Sequence, residues 1–154
     1  EYADCLGYRL PTEAEWEHAA RAGTSTAFSS GELTATADCD EEDARNDPVL
    51  DAIGHYCDNA VRPRTVGNKA PNAWGLYDMH GNVAELTYDA FLHYLPGGQD
   101  PVVHQPVDAA PRAVRGGSYD SAARYCRAAS RAPFWPSDRA GDTGLRLVRT
   151  IPNP

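Results

Sequence analysis

The chain has 154 residues, the size of one domain with a single core, and no apolar run approaches the roughly 20 residues that a membrane-spanning helix requires. Its 22 acidic and 14 basic side chains give a formal net charge of -8, so phosphate backbones and anionic membranes would be repelled. These properties argue against nucleic acid as a partner and against a membrane span, and they predict a soluble protein.

The first predicted element is a helix at about Thr12 to Ala22. Its start is marked by a capping box, Thr12 with Glu15, and its end by Gly23, which readily adopts the left-handed backbone of a helix terminus. Trp16 falls on the face that would pack against a core. The polar face is predicted to hold Glu13, Glu17 and Arg21.

After this helix the periodicity disappears, and residues 38–51 carry seven carboxylates against one arginine. The composition predicts a surface loop. Two interpretations of its acidity remain open: a solvated charged loop, or oxygen ligands for a hard cation such as calcium.

Four cysteines, Cys5, Cys39, Cys57 and Cys126, are scattered along the chain. They are too few for a disulfide scaffold, and they lack the paired spacing of a zinc site. A bridge between Cys39 and Cys57 would close the acidic loop. The alternative is that these cysteines are free, buried thiols.

The second half of the chain alternates apolar segments with turns. Residues 71–82 combine aromatic side chains with two glycines, which predicts short strands and turns rather than a helix. Segments rich in proline and glycine at 94–101 and 104–112 are predicted loops. Strands are predicted at Arg112–Tyr119 and at Gly144–Thr150.

Four segments in this order resemble the formylglycine-generating enzyme family, also called the sulfatase-modifying factor family: YRLPTEAEWEHAARAGT (8–24), PNAWGLYDMHGNVAE (71–85), RAVRGGSY (112–119) and GLRLVRT (144–150). The family shares its domain with ergothioneine-pathway sulfoxide synthases and pyoverdine-maturation proteins. The motifs extend over nearly the whole chain. Residues 1–154 therefore resemble a single domain of this family whose N-terminal part would precede Glu1.

The resemblance implies an α+β fold: a variant of the C-type lectin fold, with a small twisted antiparallel sheet, two helices and much ordered loop. The 13 glycines and 12 prolines agree with a large share of loop. Similar domains are commonly fused to effector domains in bacteria. We therefore expect a bacterial protein of the cytoplasm or the cell exterior, with a fused or separate effector as one class of partner.

The same resemblance implies a calcium site around the tight Gly81-Asn82 turn. In the family, the segment matching DMHGNVAE wraps a calcium ion, which implies side-chain ligands at Asp78 and Glu85 and carbonyl ligands at Gly81 and Val83. Calcium takes about six to eight hard oxygens, and a glycine turn lets neighbouring carbonyls converge. The alternative is a plain turn in which Glu85 is a solvated acid.

The oxidases of the family hold copper with two cysteines five residues apart, and thiolates suit Cu(I). Counting from Gly116 places these positions at Ser121 and Cys126, so the first is a serine. Aligning on AASR (128–131) instead matches Cys126 to no catalytic cysteine. Ala84 also stands where the family has a tryptophan close to the active site. We therefore expect the copper site to be lost and Cys126 to be a buried thiol or a disulfide partner.

No other catalyst is evident from the sequence. The five histidines (18, 55, 80, 93 and 104) lack ligand spacing, and the iron ligands of the sulfoxide synthases come largely from another domain. Ser118 is not in the nucleophile motif of a hydrolase. It would line the family's pocket or bond to backbone at a strand end, so Ser118 and Cys126 are only weak catalytic candidates.

Three functions remain open. The first is a calcium-stabilised binding or accessory module that recognises a peptide or small molecule; the second is an active oxidoreductase acting on a peptide cysteine or small thiol. The third is a ligand-binding protein diversified by a retroelement, because small and varied residues fill 119–143: Asp120, Ser121, Ala122, Tyr125, Ser130, Ala132, Pro133, Phe134, Ser137, Ala140, Gly141 and Asp142.

Aromatic residues in the same segment fit a recognition surface, since aromatic side chains commonly anchor binding sites. These residues are Tyr119, Tyr125, Phe134 and Trp135. A binding role requires at least two of them to be exposed. The alternative is that they fill the core.

Overall fold

The computed structural model describes residues 7–34, 39, 46–93, 97–98, 101–103 and 110–150. Cys5, His104 and five of the seven acids of residues 38–51 lie outside these residues. The elements in chain order are β1 (Tyr8–Arg9), α1 (Glu13–Arg21), α2 (Pro48–Asp51), β2 (Ala84–Ala90), β3 (Arg112–Arg115), a 3-10 helix (Ala123–Cys126), β4 (Arg131–Phe134), β5 (Thr143–Leu145) and β6 (Val148–Arg149).

Two small sheets organise these strands into an α+β fold. The main sheet has four strands in the order β4-β3-β2-β5, and β1 pairs with β6 in a second sheet. All pairs are antiparallel except β2 with β5, which is parallel. The sequence patterns did not predict β2, the central strand on which both cavities described below depend.

The two predicted strands are shorter than their segments, for different reasons. β3 ends at Arg115 because Gly116 and Gly117 take positive φ values of 88° and 67°, which turn the chain out of the sheet. The segment 144–150 is divided between β5 and β6, because its first part pairs with β2 and its last part pairs with β1. Both predicted segments therefore contain strands, but the strands are shorter than predicted and the second segment holds parts of two.

The predicted helix is confirmed as α1. The Thr12 hydroxyl accepts the Glu15 N–H at 3.1 Å, and the Glu15 carboxylate accepts the Thr12 N–H at 2.8 Å, which completes the capping box. The left-handed terminus begins at Ala22 (φ 47°) and continues at Gly23 (φ 91°). The last helical residue is therefore Arg21, one residue earlier than predicted, and Ala22 takes the cap position before the glycine.

The core has two clusters. One gathers Phe28, Leu50, Ile53, Tyr56, Ala123 and Cys126, and the other gathers Trp16, Ala20, Met79 and Ala128. Asp47, in the acidic segment, is fully buried: its carboxylate accepts the N–H groups of Val49, Leu50 and Thr34 and so caps α2. At least this one acid of the segment has a structural role.

Cys39 and Cys57 form a disulfide, so the first of the two alternatives for this pair is the one observed. Cys126 is free and buried. Among the described residues, no helix is both long and apolar enough to cross a membrane.

Candidate functional site

A cavity of about 490 Å³, named here the sheet cavity, lies against the four-stranded sheet. Each strand contributes to its lining: Ala84 from β2, Val114 from β3, Ala132 from β4 and Thr143 from β5. Val114 is paired with Ala132 across β3 and β4, and Ala84 is paired with Thr143 across β2 and β5. Residues paired in this way point to the same face of a sheet. The small side chains on that face leave room for a ligand.

Three hydrogen-bonded side chains form one wall of the sheet cavity. The Ser118 hydroxyl lies 3.1 Å from the Asp142 carboxylate and 3.1 Å from the Ser121 hydroxyl. The Gly116-Gly117 turn places Ser118 here, and a Cβ on Gly117 would lie only 2.8 Å from the Cys126 sulfur. The glycine is therefore required for the turn to pack against the core.

Cys126 does not line the sheet cavity. Its side chain is fully buried in the cluster with Phe28, Leu50 and Tyr56. Burial away from water raises the pKa of the thiol to about 12, so the group is protonated at neutral pH. Because Cys57 is in a disulfide, no cysteine of the described residues presents a thiolate to this cavity.

The four aromatic residues of the predicted recognition surface differ in exposure. Tyr125 and Trp135 are each 51% exposed, whereas Tyr119 and Phe134 are partly buried. This meets the requirement that at least two be exposed. Tyr125 and Phe134 line the sheet cavity, and their role in binding stays a prediction.

A second cavity of about 430 Å³, named here the carboxylate cavity, brings together all four residues predicted to bind calcium. Asp78, Gly81, Val83 and Glu85 all line it. The chain winds tightly here, because Asp78, Gly81 and Asn82 have positive φ values of 56°, 85° and 69°. A Cβ on Gly81 would lie 2.1 Å from the His55 carbonyl oxygen, so only glycine fits this position.

The two carboxylates of this cavity have different environments. Asp78 accepts the Gly67 N–H at 2.7 Å through Oδ2, while its buried Oδ1 has no partner. Glu85 is paired with Arg146 at 2.7 Å and accepts the Trp16 indole N–H at 2.7 Å. Sequence reasoning did not identify Arg146 as a partner of Glu85.

These donors fit a calcium ion on chemical grounds. Asp78 Oδ1 is a hard oxygen, buried and without a hydrogen bond, in a turn that also presents the Gly81 and Val83 backbone. A buried carboxylate oxygen without a partner is costly, and a cation would satisfy it. Glu85 keeps further lone pairs beside its bonds to Arg146 and Trp16.

His80 has a structural role. His80 is buried, its Nδ1 lies 2.9 Å from the Cys126 carbonyl oxygen, and its Nε2 accepts the Ser29 N–H at 3.2 Å. Burial lowers the pKa of His80 to about 4, so the ring is neutral and structural. In the described ranges, no three His, Cys, Asp or Glu side chains converge as metal ligands.

The comparisons with known proteins agree with the resemblance seen in the motifs. The model of the sulfatase-modifying factor enzyme 1-like domain matches residues 1–151, so the chain belongs to this family. The formylglycine-generating enzyme of Mycobacterium tuberculosis is 34% identical over 96% of the chain and 52% of the relative. The chain thus spans about half the length of this relative.

Two solved structures have the same fold. Variable protein 1 of Treponema denticola superposes with a TM-score of 0.72 and 35% identity, over 91% of this chain and 46% of that one. PvdO of Pseudomonas aeruginosa superposes with a TM-score of 0.76 and 26% identity, over 97% of this chain and 56% of that one. This chain therefore has the domain fold of these two proteins.

Proposed function

We propose that this domain is a calcium-stabilised binding or accessory module whose sheet cavity recognises a ligand instead of carrying out cysteine-dependent oxidation. The observation that supports this most directly is the lining of the cavity. Ser118 and Ser121 present hydroxyls to it, whereas the sulfur of Cys126 is buried in the core with a raised pKa. Copper(I) favours thiolates, which hydroxyls cannot replace.

The small side chain of Ala84 supports the same proposal. It lies on the sheet face of the cavity, where the family's oxidases have a tryptophan by resemblance. Replacing an indole with a methyl group opens volume directly above the strands. A cavity of this size is within the range of about 300–1,000 Å³ typical of small-molecule sites.

In this proposal calcium stabilises the structure and does not take part in ligand binding. Asp78, Gly81, Val83 and Glu85 would hold the ion, which would give the buried Oδ1 of Asp78 a partner and fix the turn that leads into β2. Because Ala84 follows Val83 directly, a rigid turn also keeps the sheet cavity in shape.

Metal content and oxygen consumption test the proposal together. The protein is loaded with Cu(I) and Ca²⁺, and both metals are measured by mass spectrometry; oxygen uptake is then followed with a cysteine-containing sulfatase-motif peptide. We expect bound calcium, no stoichiometric copper and no oxygen uptake. A formylglycine-generating enzyme that has both cysteines is the positive control.

Stoichiometric copper with peptide oxidation would instead support the active oxidoreductase, and the binding proposal would be abandoned. In that case Cys126 would have to leave the core to reach copper. A Cys126→Ala variant, which adds no polar group to the core, separates the two cases, because it removes oxidation in an active enzyme, whereas a binding module has no oxidation to lose.

One observation favours a second candidate, the retroelement-diversified binding protein. Of the twelve positions noted for their small and varied residues, eight line the sheet cavity: Ser121, Tyr125, Ser130, Ala132, Pro133, Phe134, Ala140 and Asp142. The similarity to a protein whose name calls it variable points the same way. Sequencing the source genome tests it: a nearby near-identical template with adenines at these codons supports diversification, and its absence excludes it.

A further inference from the structure

We propose that the sheet cavity binds a zwitterion of the amino-acid type, with the ligand carboxylate on Arg139, its ammonium group on Asp142 and its apolar part against Tyr125 and Phe134. This inference rests on the proposed function, because it names the ligand class of the same cavity. It follows from two charged residues of the lining: Arg139 has no carboxylate partner among the described residues, and Asp142 has no cation partner there. Asp138 also lines the cavity, but its carboxylate accepts a backbone N–H of its own turn.

Arg139 is the cation. Its Nη1 donates to two backbone carbonyl oxygens, those of Pro136 at 3.4 Å and Asp138 at 2.7 Å. Within the described residues it has no carboxylate at ion-pair distance. Arg131 also lines the cavity, but its guanidinium is already paired with Glu13. Arg139 is therefore the guanidinium that can bind a ligand carboxylate with two parallel hydrogen bonds.

Asp142 is the anion. Its Oδ2 accepts the Ser118 hydroxyl, and no cation of the described residues pairs with it. The backbone of Asp142 is held on the sheet, because its carbonyl oxygen accepts the N–H of Ala84, on β2, at 2.8 Å. A carboxylate held on the sheet and oriented by a buried serine is preorganised for an ammonium group.

A hydrogen-bonded turn precedes the segment that carries Arg139 and Asp142. Asp138 accepts the Trp135 N–H at 2.9 Å and donates its own N–H to the Trp135 carbonyl oxygen at 2.9 Å, which closes a turn just before Arg139. No ion pair forms between Arg139 and Asp142, although both line the cavity. A ligand that carries both charges can therefore bridge them.

The remaining lining selects against other classes of ligand. Tyr125, Phe134 and Val114 offer apolar and aromatic surface, which suits a hydrophobic side chain. Phosphate or sulfate groups would be repelled by Asp138 and Asp142, and a plain amine would leave Arg139 without a partner. A neutral sugar would satisfy neither charge.

Calorimetric titration of the calcium-loaded full chain tests the inference. The probes are L-phenylalanine, N-acetyl-phenylalanine, phenylalaninamide and the dipeptide Phe-Ala. We expect the zwitterions to bind, and each singly blocked compound to bind about tenfold or more weakly, because each lacks one charge-assisted contact. The ratio between phenylalanine and Phe-Ala then tells whether the ligand is a free amino acid or a short peptide.

Charge variants give the matched test. Arg139→Gln and Asp142→Asn should each weaken phenylalanine binding by about tenfold or more. Arg139→Gln should leave phenylalaninamide binding unchanged, and Asp142→Asn should leave N-acetyl-phenylalanine binding unchanged. The controls are Arg127→Gln and Asp120→Asn, which make the same changes at exposed residues outside the cavity lining and should bind like the unmodified chain.

Several outcomes would overturn the inference. These are the absence of phenylalanine binding in the millimolar range, equal binding of the blocked compounds, or full binding by folded Arg139→Gln and Asp142→Asn. Methyl α-glucoside serves as a neutral probe of the same cavity, and Ala84→Trp should abolish its binding by filling the cavity. If the glucoside binds in this way and phenylalanine does not, the proposed binding function stands and only the zwitterion is rejected. Failure of the proposed function itself is seen separately, as copper uptake and peptide oxidation.

Discussion

At the scale of single residues, the difference between Cys126 and Ser121 decides what chemistry the sheet cavity can support. Ser121 lines the cavity and bonds to Ser118, whereas Cys126 packs under the same turn with Phe28 and Tyr56. The two side chains are close in sequence, and the 3-10 helix at Ala123–Cys126 directs them into different environments. A thiol in the core is inert because the thiolate is the reactive form.

Alkylation of Cys126 provides a direct prediction. With its pKa raised to about 12, only about one thiol in ten thousand is ionised near pH 8, and the sulfur is also inaccessible. In a Cys5→Ser variant, iodoacetamide should leave the native protein unmodified and should label one cysteine after unfolding in urea, as measured by mass spectrometry. Labelling of the native protein at the rate of a free cysteine would place Cys126 outside the core.

At the scale of elements, a buried charge cluster attaches α1 to the main sheet. Arg115 on β3 has a side chain with no exposed surface; it pairs with Glu13 at 3.3 Å and also with Glu17. Its Nη2 donates to the Ala128 carbonyl oxygen at 2.8 Å. Glu13 had been predicted on the polar face of the helix, but it is only 2% exposed, because the sheet covers that face.

Removing the central cation of this cluster should lower the stability of the folded protein. Arg115→Met removes one of the two arginine partners of the buried Glu13, the other being Arg131, and takes away the donor to the Ala128 carbonyl oxygen. We expect a loss of about 3 kcal/mol in the free energy of unfolding, measured by urea denaturation. The matched control is Arg127→Met at an exposed position, which should change it by about 0.5 kcal/mol or less. Similar stabilities for the two variants would show that the cluster does not hold the helix.

At the scale of the whole molecule, β2 separates the two cavities. Ala84 lines the sheet cavity and Glu85 lines the carboxylate cavity, because successive side chains of a strand point to opposite faces. Glu85 also bonds to Trp16 of α1 and to Arg146, which follows β5. A cation in the carboxylate cavity would therefore stabilise the start of the central strand from the side opposite the proposed ligand.

Calcium should raise the thermal stability of the protein. At a calcium concentration about 100 times the dissociation constant the gain is roughly 2.7 kcal/mol, and each kcal/mol raises Tm by about 2–4 °C for a chain of this size. Asp78→Asn should abolish the rise with little effect on the calcium-free Tm, since asparagine tolerates the left-handed backbone and can still accept the Gly67 N–H. Scanning calorimetry with calcium and with EGTA measures both.

The control for this experiment is Asp58→Asn, at a carboxylate outside the carboxylate cavity, which should keep the full calcium effect. A calcium-independent Tm in the unmodified chain would remove calcium from the proposed function. So would an undiminished rise in Asp78→Asn. In either case the turn would be a plain turn whose Asp78 is satisfied in another way.

The amino-acid sequence by itself determined the features that depend on neighbours within a few residues. The capping box of Thr12 and Glu15 defined α1, since its two hydrogen bonds join residues three apart. The turn around Gly81 was also predicted correctly, because a Gly-Asn pair favours the positive φ values that Gly81 and Asn82 adopt. The placement of Asp78 and Glu85 on one cavity followed from this turn and the family motif.

Only the tertiary structure decided the features that depend on distant partners. Ser118 meets Asp142, Glu13 meets Arg115, and Cys39 pairs with Cys57 across loops whose folded path no local pattern encodes. The burial of Cys126 away from the sheet cavity depends on the packing of the whole core. Local propensity acts through hydrogen bonds between near neighbours, whereas burial and charge pairing are set by which surfaces the complete fold brings together.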